Sequence, residues 1–189
     1  MLKRRPFGSI PSGAVIALSM LLLLVLTLSL AACSGPAPAS TPDITATPTQ
    51  TTTHSAKPSG PIDAKWIESQ VVGDTVSIPV SEIEDNWNTR FRLQTADGDI
   101  VTMAYILNGV IYVRASICPP CRSLGFTLNG NILACDICGT TFAASTGEGI
   151  SGACVNYPKA SVSYTIADGK VVMSRADLVT AYQNTLKPG

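Results

Sequence analysis

A chain of 189 residues carrying 13 basic and 13 acidic side chains has no net formal charge. That balance gives no reason to expect nucleic acid or an anionic membrane surface as partner. Composition shifts sharply along the chain, from an apolar front through a Ser/Thr/Pro-rich stretch to a mixed remainder, so residues 61–189 are expected to form one compact domain. Nothing in it resembles a hydrolytic triad or a nucleotide-binding loop.

Lys3, Arg4 and Arg5 precede an uncharged apolar run from Ala14 to Leu30, followed by Ala31-Ala32-Cys33. This layout predicts a lipoprotein signal peptide over residues 1–32, with the small residues resembling the lipobox that is cleaved before a lipidated cysteine. Cys33 is then the lipidation site and the protein's attachment to a lipid bilayer. An uncleaved membrane-spanning anchor is the alternative, since the apolar run is near the lower length limit for a span. Either way the domain faces the extracytoplasmic side. Cleavage removes three basic residues and no acidic one, leaving ten against thirteen. Membrane attachment is therefore expected from lipid rather than from charge.

Residues 33–60 comprise the lipidated cysteine and then mostly Ser, Thr, Pro, Ala and Gly, broken by such residues as Asp43, His54 and Lys57. So little apolar surface cannot offset the entropy of ordering, and the segment reads as a disordered tether. His54 is the protein's only histidine, and in a tether it makes a poor metal ligand.

Within residues 61–189, Asp63 to Glu68 reads as a short helix, and Val76, Ile78 and Val80 alternate as in a strand. Phe91 and Leu93 repeat that period. Ile100–Leu107 and Val110–Ser116 form a predicted hairpin about Asn108-Gly109, which suits a type I′ turn. Asn129-Gly130 joins Leu124–Leu128 to Asn131–Ala134, and Asp168-Gly169 joins Val162–Ile166 to Lys170–Met173. Ser174 with Asp177 resembles a capping box, and Leu178, Ala181, Tyr182 and Leu186 follow at helical spacing. The expected fold is mainly β: a small antiparallel sandwich or barrel-like domain with metal-knuckle hairpins and a C-terminal helix. It is long enough for a core without disulfide staples.

The chemistry lies in five cysteines. Cys118 and Cys121 bracket Pro119-Pro120, Cys135 and Cys138 bracket Asp136-Ile137, and Cys154 follows in a glycine-rich loop. A C-x2-C turn puts two sulfurs on one side, and the Asn129-Gly130 turn lies midway between the two boxes. Folding that hairpin would bring four thiolates together, so Cys118, Cys121, Cys135 and Cys138 are predicted metal ligands, with Cys154 a fifth participant or a buried structural thiol. Gly139 supplies the conformational freedom such turns use, where the first box has Arg122. Pro119 and Pro120 lack N–H groups, predicting fewer N–H···S bonds at the first box.

Spacing alone does not separate iron from structural zinc. Five cysteines cannot all pair, and disulfides within C-x2-C would close only tiny loops. Thioredoxin-like activity would need C-P-P-C to open a long helix, yet Arg122 to Thr127 reads as a turn entering a strand.

From about Thr75 to Asp177 the chain resembles the FtrD-like membrane iron–sulfur protein family. The residues that carry the likeness are Val76 to Ser81, the hairpin through Val113, the Cys118/Cys121 box, Cys135 to Phe142, and Gly152-Ala153-Cys154. The resemblance implies an iron–sulfur cluster or iron facing the exterior, used in electron transfer linked to ferrous iron uptake, with an iron permease or redox partner supplied separately. The family loop commonly reads Gly-Gly-Cys-Asn-Pro, against Gly152-Ala153-Cys154-Val155-Asn156 here. Many members also carry several transmembrane helices, where this chain has a lipoprotein signal. The stretch from Cys135 to Gly152 also looks like the second box of a Rieske protein with cysteine in place of histidine. An all-cysteine site is expected to have a lower potential than a Rieske centre.

Overall fold

A computed structural model describes residues 56–189. The expected signal peptide, the lipidation site Cys33, His54 and most of the tether lie outside the described residues. In chain order the elements are β1 (Lys65–Trp66), β2 (Gln70–Val72), β3 (Thr75–Pro79), α1 (Val80–Asn86), β4 (Asn88–Thr95), β5 (Gly98–Leu107) and β6 (Val110–Ala115). They continue with β7 (Phe126–Asn129), β8 (Ile132–Cys135), β9 (Thr141–Ala143), β10 (Gly149–Ser151), β11 (Thr165–Ala167), β12 (Lys170–Ser174) and α2 (Arg175–Thr185). Among the described residues no helix is long and apolar enough to cross a membrane.

The strands make three four-stranded sheets, ordered β1-β4-β5-β6, β10-β9-β8-β7 and β11-β12-β3-β2. All pairings are antiparallel except that of the two-residue β1, which runs parallel to β4. β5 explains how they stack. Ile100, Ala104 and Ile106 enter a core with β3, β12 and both helices, while Met103, Tyr105 and Leu107 enter a second core with β7, β8 and β9. A strand covered on both faces reads as a continuous apolar run rather than an alternation. The mainly β fold with a closing helix is therefore as expected.

The turn residues act as their chemistry requires. Asn108 and Gly109 both take positive φ, 52° and 78°, and Asp168 and Gly169 do the same at 50° and 68°. The middle hairpin differs by one residue. Asn129 pairs with Ile132, so Gly130 and Asn131 form the turn, with Gly130 at φ 58°. Ser174 caps α2, accepting the Asp177 N–H at 2.9 Å.

Two further expectations fail. Asp63 to Glu68 is extended: the N–H of Ile62 donates to the Leu128 carbonyl at 2.8 Å, and Lys65–Trp66 pairs with Thr89–Arg90. Helices this short gain little from propensity, and pairing to existing strand edges wins. Val80 opens α1 instead of continuing β3. The chain turns at Pro79 and stops at Trp87, whose left-handed φ of 62° lets its N–H reach the Ile83 carbonyl.

Candidate metal centre

Both cysteine boxes are the same turn built twice. In the first, the Cys118 N–H donates to Ser123 O at 2.8 Å and the Arg122 N–H to Cys118 O at 2.7 Å. In the second, the Cys135 N–H donates to Thr140 O and the Gly139 N–H to Cys135 O, both at 2.9 Å. The residue after each box is left-handed, φ 59° at Arg122 and 67° at Gly139. The sequence equivalence of these positions is thus a conformational one, with arginine strained where glycine is at ease.

β7 and β8 carry these knuckles to one end of their hairpin, where the sulfurs meet. Cys118 Sγ lies 3.9 Å from Cys138 Sγ, and Cys121 Sγ lies 3.6 Å from Cys135 Sγ, so each short contact joins one knuckle to the other. Cys154 comes from a third segment, with its Sγ 3.7 Å from Cys138 Sγ. The sulfurs of Cys118, Cys121, Cys138 and Cys154 all lie within 4.8 Å of one another. Cys135 touches this quartet through Cys121. None of the five is in a disulfide.

Thr140 joins the third segment to the second knuckle. Its buried hydroxyl lies 3.2 Å from Cys138 Sγ and accepts the Cys154 N–H, also at 3.2 Å. Gly152 lets the segment come so close: at φ 115° its Cα faces Thr140, and an added Cβ would sit 2.6 Å from the hydroxyl oxygen.

Electrostatics differ from one thiol to the next. Burial raises Cys118 and Cys135 above the ordinary thiol value. At Cys135, hydrogen bonds from the backbone of Cys138 and Ile137 and from Ser123 oppose that rise. The position matching Ile137 in the first knuckle is Pro120, which has no N–H to offer, in line with the asymmetry expected from the prolines. Burial also acts to raise Cys138, but bonds with Thr140, Cys135 and Cys121 outweigh it and bring the thiol down to about 6.

Phe126 and Phe142 close the inner side, edge to face with centroids 5.9 Å apart, while Cys121 and Cys138 are half-buried on the outer side. Asp136 is exposed and accepts from Thr127 at 2.9 Å, and Arg122 points outward as well. Sequence reasoning missed Thr140, Ser123 and Lys159. Thr140 could have been suspected from its place two residues after Cys138. Lys159 carries no local signal, yet it is fully buried beside the cluster, and burial lowers its ammonium to about 8 against the opposing pull of the cysteines.

The donor set fits iron–sulfur ligation, which uses four thiolates. Five thiols converge here beside two phenyl rings, with the Thr140 hydroxyl within hydrogen-bond distance of the Cys138 sulfur.

No curated protein matches the sequence. Similar solved structures include a chain from the complex of reduced oxygenase and oxidized ferredoxin in carbazole 1,9a-dioxygenase, 18% identical, with a TM-score of 0.45 over 54% of this chain and 94% of that one. Another is a ferredoxin of Sphingomonas yanoikuyae B1, 24% identical, with a TM-score of 0.36 over 39% of this chain and 74% of that one. The family model described as membrane iron-sulfur containing protein FtrD-like matches residues 83–184, more than half of the sequence. The chain therefore belongs to the FtrD-like family, and its cofactor is an iron–sulfur cluster.

Proposed function

We propose that this protein is a lipid-anchored electron carrier on the extracytoplasmic side of a membrane, serving ferrous iron uptake, with Cys118, Cys121, Cys135 and Cys138 as cluster ligands. The observation that carries the reading is the convergence of two equivalent knuckles, with the Cys118–Cys138 and Cys121–Cys135 contacts each crossing between them. A two-iron cluster takes two cysteines per iron, which suits that cross-pairing. Cys154 belongs to the tightest quartet and is the rival fourth ligand. Cys135 is preferred because the backbone N–H groups of Ile137 and Cys138 already converge on its sulfur.

When bound, an iron–sulfur cluster supplies one-electron transfer. The protein's part is to hold it and set its surroundings. Phe126 and Phe142 exclude water from the inner side, and the half-buried Cys121 and Cys138 face the side from which a redox partner would approach. Anchoring through Cys33 and residues 33–60 would let the domain reach a permease or oxidase supplied as a separate chain.

The test is the full chain purified anaerobically in detergent, with iron, zinc and sulfide analysis and visible and EPR spectra. Iron with equimolar sulfide and an EPR signal on reduction is expected. A colourless zinc protein would reject electron transfer and leave a structural module. Metal-independent disulfide reductase activity lost in Cys121→Ser would favour a thiol oxidoreductase instead. Cys33→Ala should release the protein from membranes, and cells lacking the chain should take up less ferrous iron.

A further inference from the structure

Lys159 and Arg114 are buried, and no Asp or Glu is among the buried described residues. Arg114 spends its guanidinium on neutral oxygens, donating to the Tyr105 hydroxyl at 3.0 Å, the Lys159 carbonyl at 2.8 Å and the Ser145 carbonyl at 2.6 Å. Lys159 is fixed at both ends of its backbone, since its N–H donates to Gly147 O at 2.8 Å. Gly147, at φ 82°, lies against the Lys159 carbonyl with no room for a Cβ. The ammonium donates to Ile117 O at 2.7 Å, one residue before Cys118, and stands 4.4 and 5.2 Å from the Phe142 and Phe126 ring centroids. Those rings pack in the same core as Cys118, Cys135 and Cys154.

Ring faces and one carbonyl stabilise a buried ammonium only in part, and a buried cation without counter-charge is strongly disfavoured. The sulfurs are the anionic groups at hand. We propose that Lys159 is the internal counter-cation of the metal centre, a positioning residue whose fixed charge behind the Cys118 knuckle favours retention of a negatively charged cluster and raises its reduction potential. This rests on the iron–sulfur reading above, and it explains why a lysine is walled in by Gly147, Phe126 and Phe142 rather than left in solvent. Cluster potential responds to nearby charge, so loss of a cation disfavours the added electron.

The test compares Lys159→Met and Lys159→Arg with wild type in the full chain. At a fixed solution potential, Lys159→Met should shift the oxidised-to-reduced ratio about tenfold toward the oxidised form, about 59 mV for one electron, and Lys159→Arg should recover most of that. Melting gives a second readout. In metal-free reduced protein near about pH 6 the methionine variant should melt higher than wild type, because an uncompensated charge is gone, whereas in the metal-loaded protein it should melt lower. A ratio within about twofold of wild type, or melting changes of one sign in both states, overturns the proposal. Should wild type hold zinc, the electron-transfer reading fails, but the melting comparison still decides, since zinc on four thiolates is also net negative. If the methionine variant is insoluble, Lys159→Gln, which can keep a donor toward Ile117 without charge, carries the same comparisons.

Discussion

Thr140→Val tests the centre's electrostatics at one atom. Valine preserves the shape of threonine but removes the hydroxyl that lies 3.2 Å from both Cys138 Sγ and the Cys154 nitrogen. Hydrogen bonds to a charged group contribute about 1.5–3 kcal/mol, and at the half-buried Cys138 sulfur solvent screening points to the low end. One pH unit corresponds to about 1.36 kcal/mol, so the Cys138 thiol should rise by about one unit. The assay is iodoacetamide labelling of metal-free, reduced protein across pH, read at the Cys138 peptide by mass spectrometry. Wild type should give a midpoint near the lowered value of about 6, and the variant a midpoint about one unit higher. The Cys154 N–H loses its partner too, which should cost about 1–3 kcal/mol of stability. A variant with the wild-type midpoint would show that Thr140 does not hold the Cys138 thiolate, and the argument from hydroxyl to sulfur would be wrong.

Swapping residues between the knuckles should give opposite signs. Arg122→Gly relieves a left-handed arginine at φ 59°, worth about 1–2 kcal/mol, less about 0.5–1 for glycine's extra freedom when unfolded, and should raise the melting temperature of the metal-free protein. Gly139→Ala, with nothing within 4 Å of its new Cβ, should lower it by backbone strain alone, about 1 kcal/mol. Cys135→Ser should abolish metal retention and Cys154→Ser should only weaken it, as measured by metal content after desalting; the reverse order would assign the rival quartet. The depressed Cys138 thiol stabilises the metal-free fold fully above its ordinary value of 9.0, and that contribution is lost as pH falls through about 6. Melts of reduced, chelated protein should therefore rise from about pH 6 to 8, and a falling curve would contradict the sign.

The parts of the fold legible in the sequence are those where one residue type dictates backbone geometry. Asn108-Gly109 and Asp168-Gly169 fix their hairpins because both positions need positive φ. The slip to Gly130-Asn131 arises where glycine alone takes positive φ and the neighbouring pairs set the register. Short elements were not legible. Seven residues of α1 after Pro79, and two of β1 along β4, owe their form to tertiary contacts. In the site, C-x2-C spacing announces the two knuckles, but the closeness of Cys154 depends on Gly152 meeting Thr140 in space. Lys159 carries no local signal of burial, because the rings that cover it, Phe142 and Phe126, lie seventeen and thirty-three residues earlier in the chain.

These features fix which state the fold favours. Without metal, burial pushes Cys118 and Cys135 toward the neutral thiol, while Lys159 and Arg114 stay walled in with no buried carboxylate among the described residues to balance them. The two tendencies conflict, since protonated sulfurs leave the cations uncompensated and ionised sulfurs crowd like charges within a few ångströms. A metal centre resolves both: the ions neutralise most of the repulsion between thiolates, and the remaining negative charge faces the buried ammonium. The charge distribution of the metal-free protein thus argues for an anionic, thiolate-ligated centre independently of cysteine spacing. It predicts that metal loading raises the melting temperature more in wild type than in Lys159→Met, and equal increments would refute that coupling.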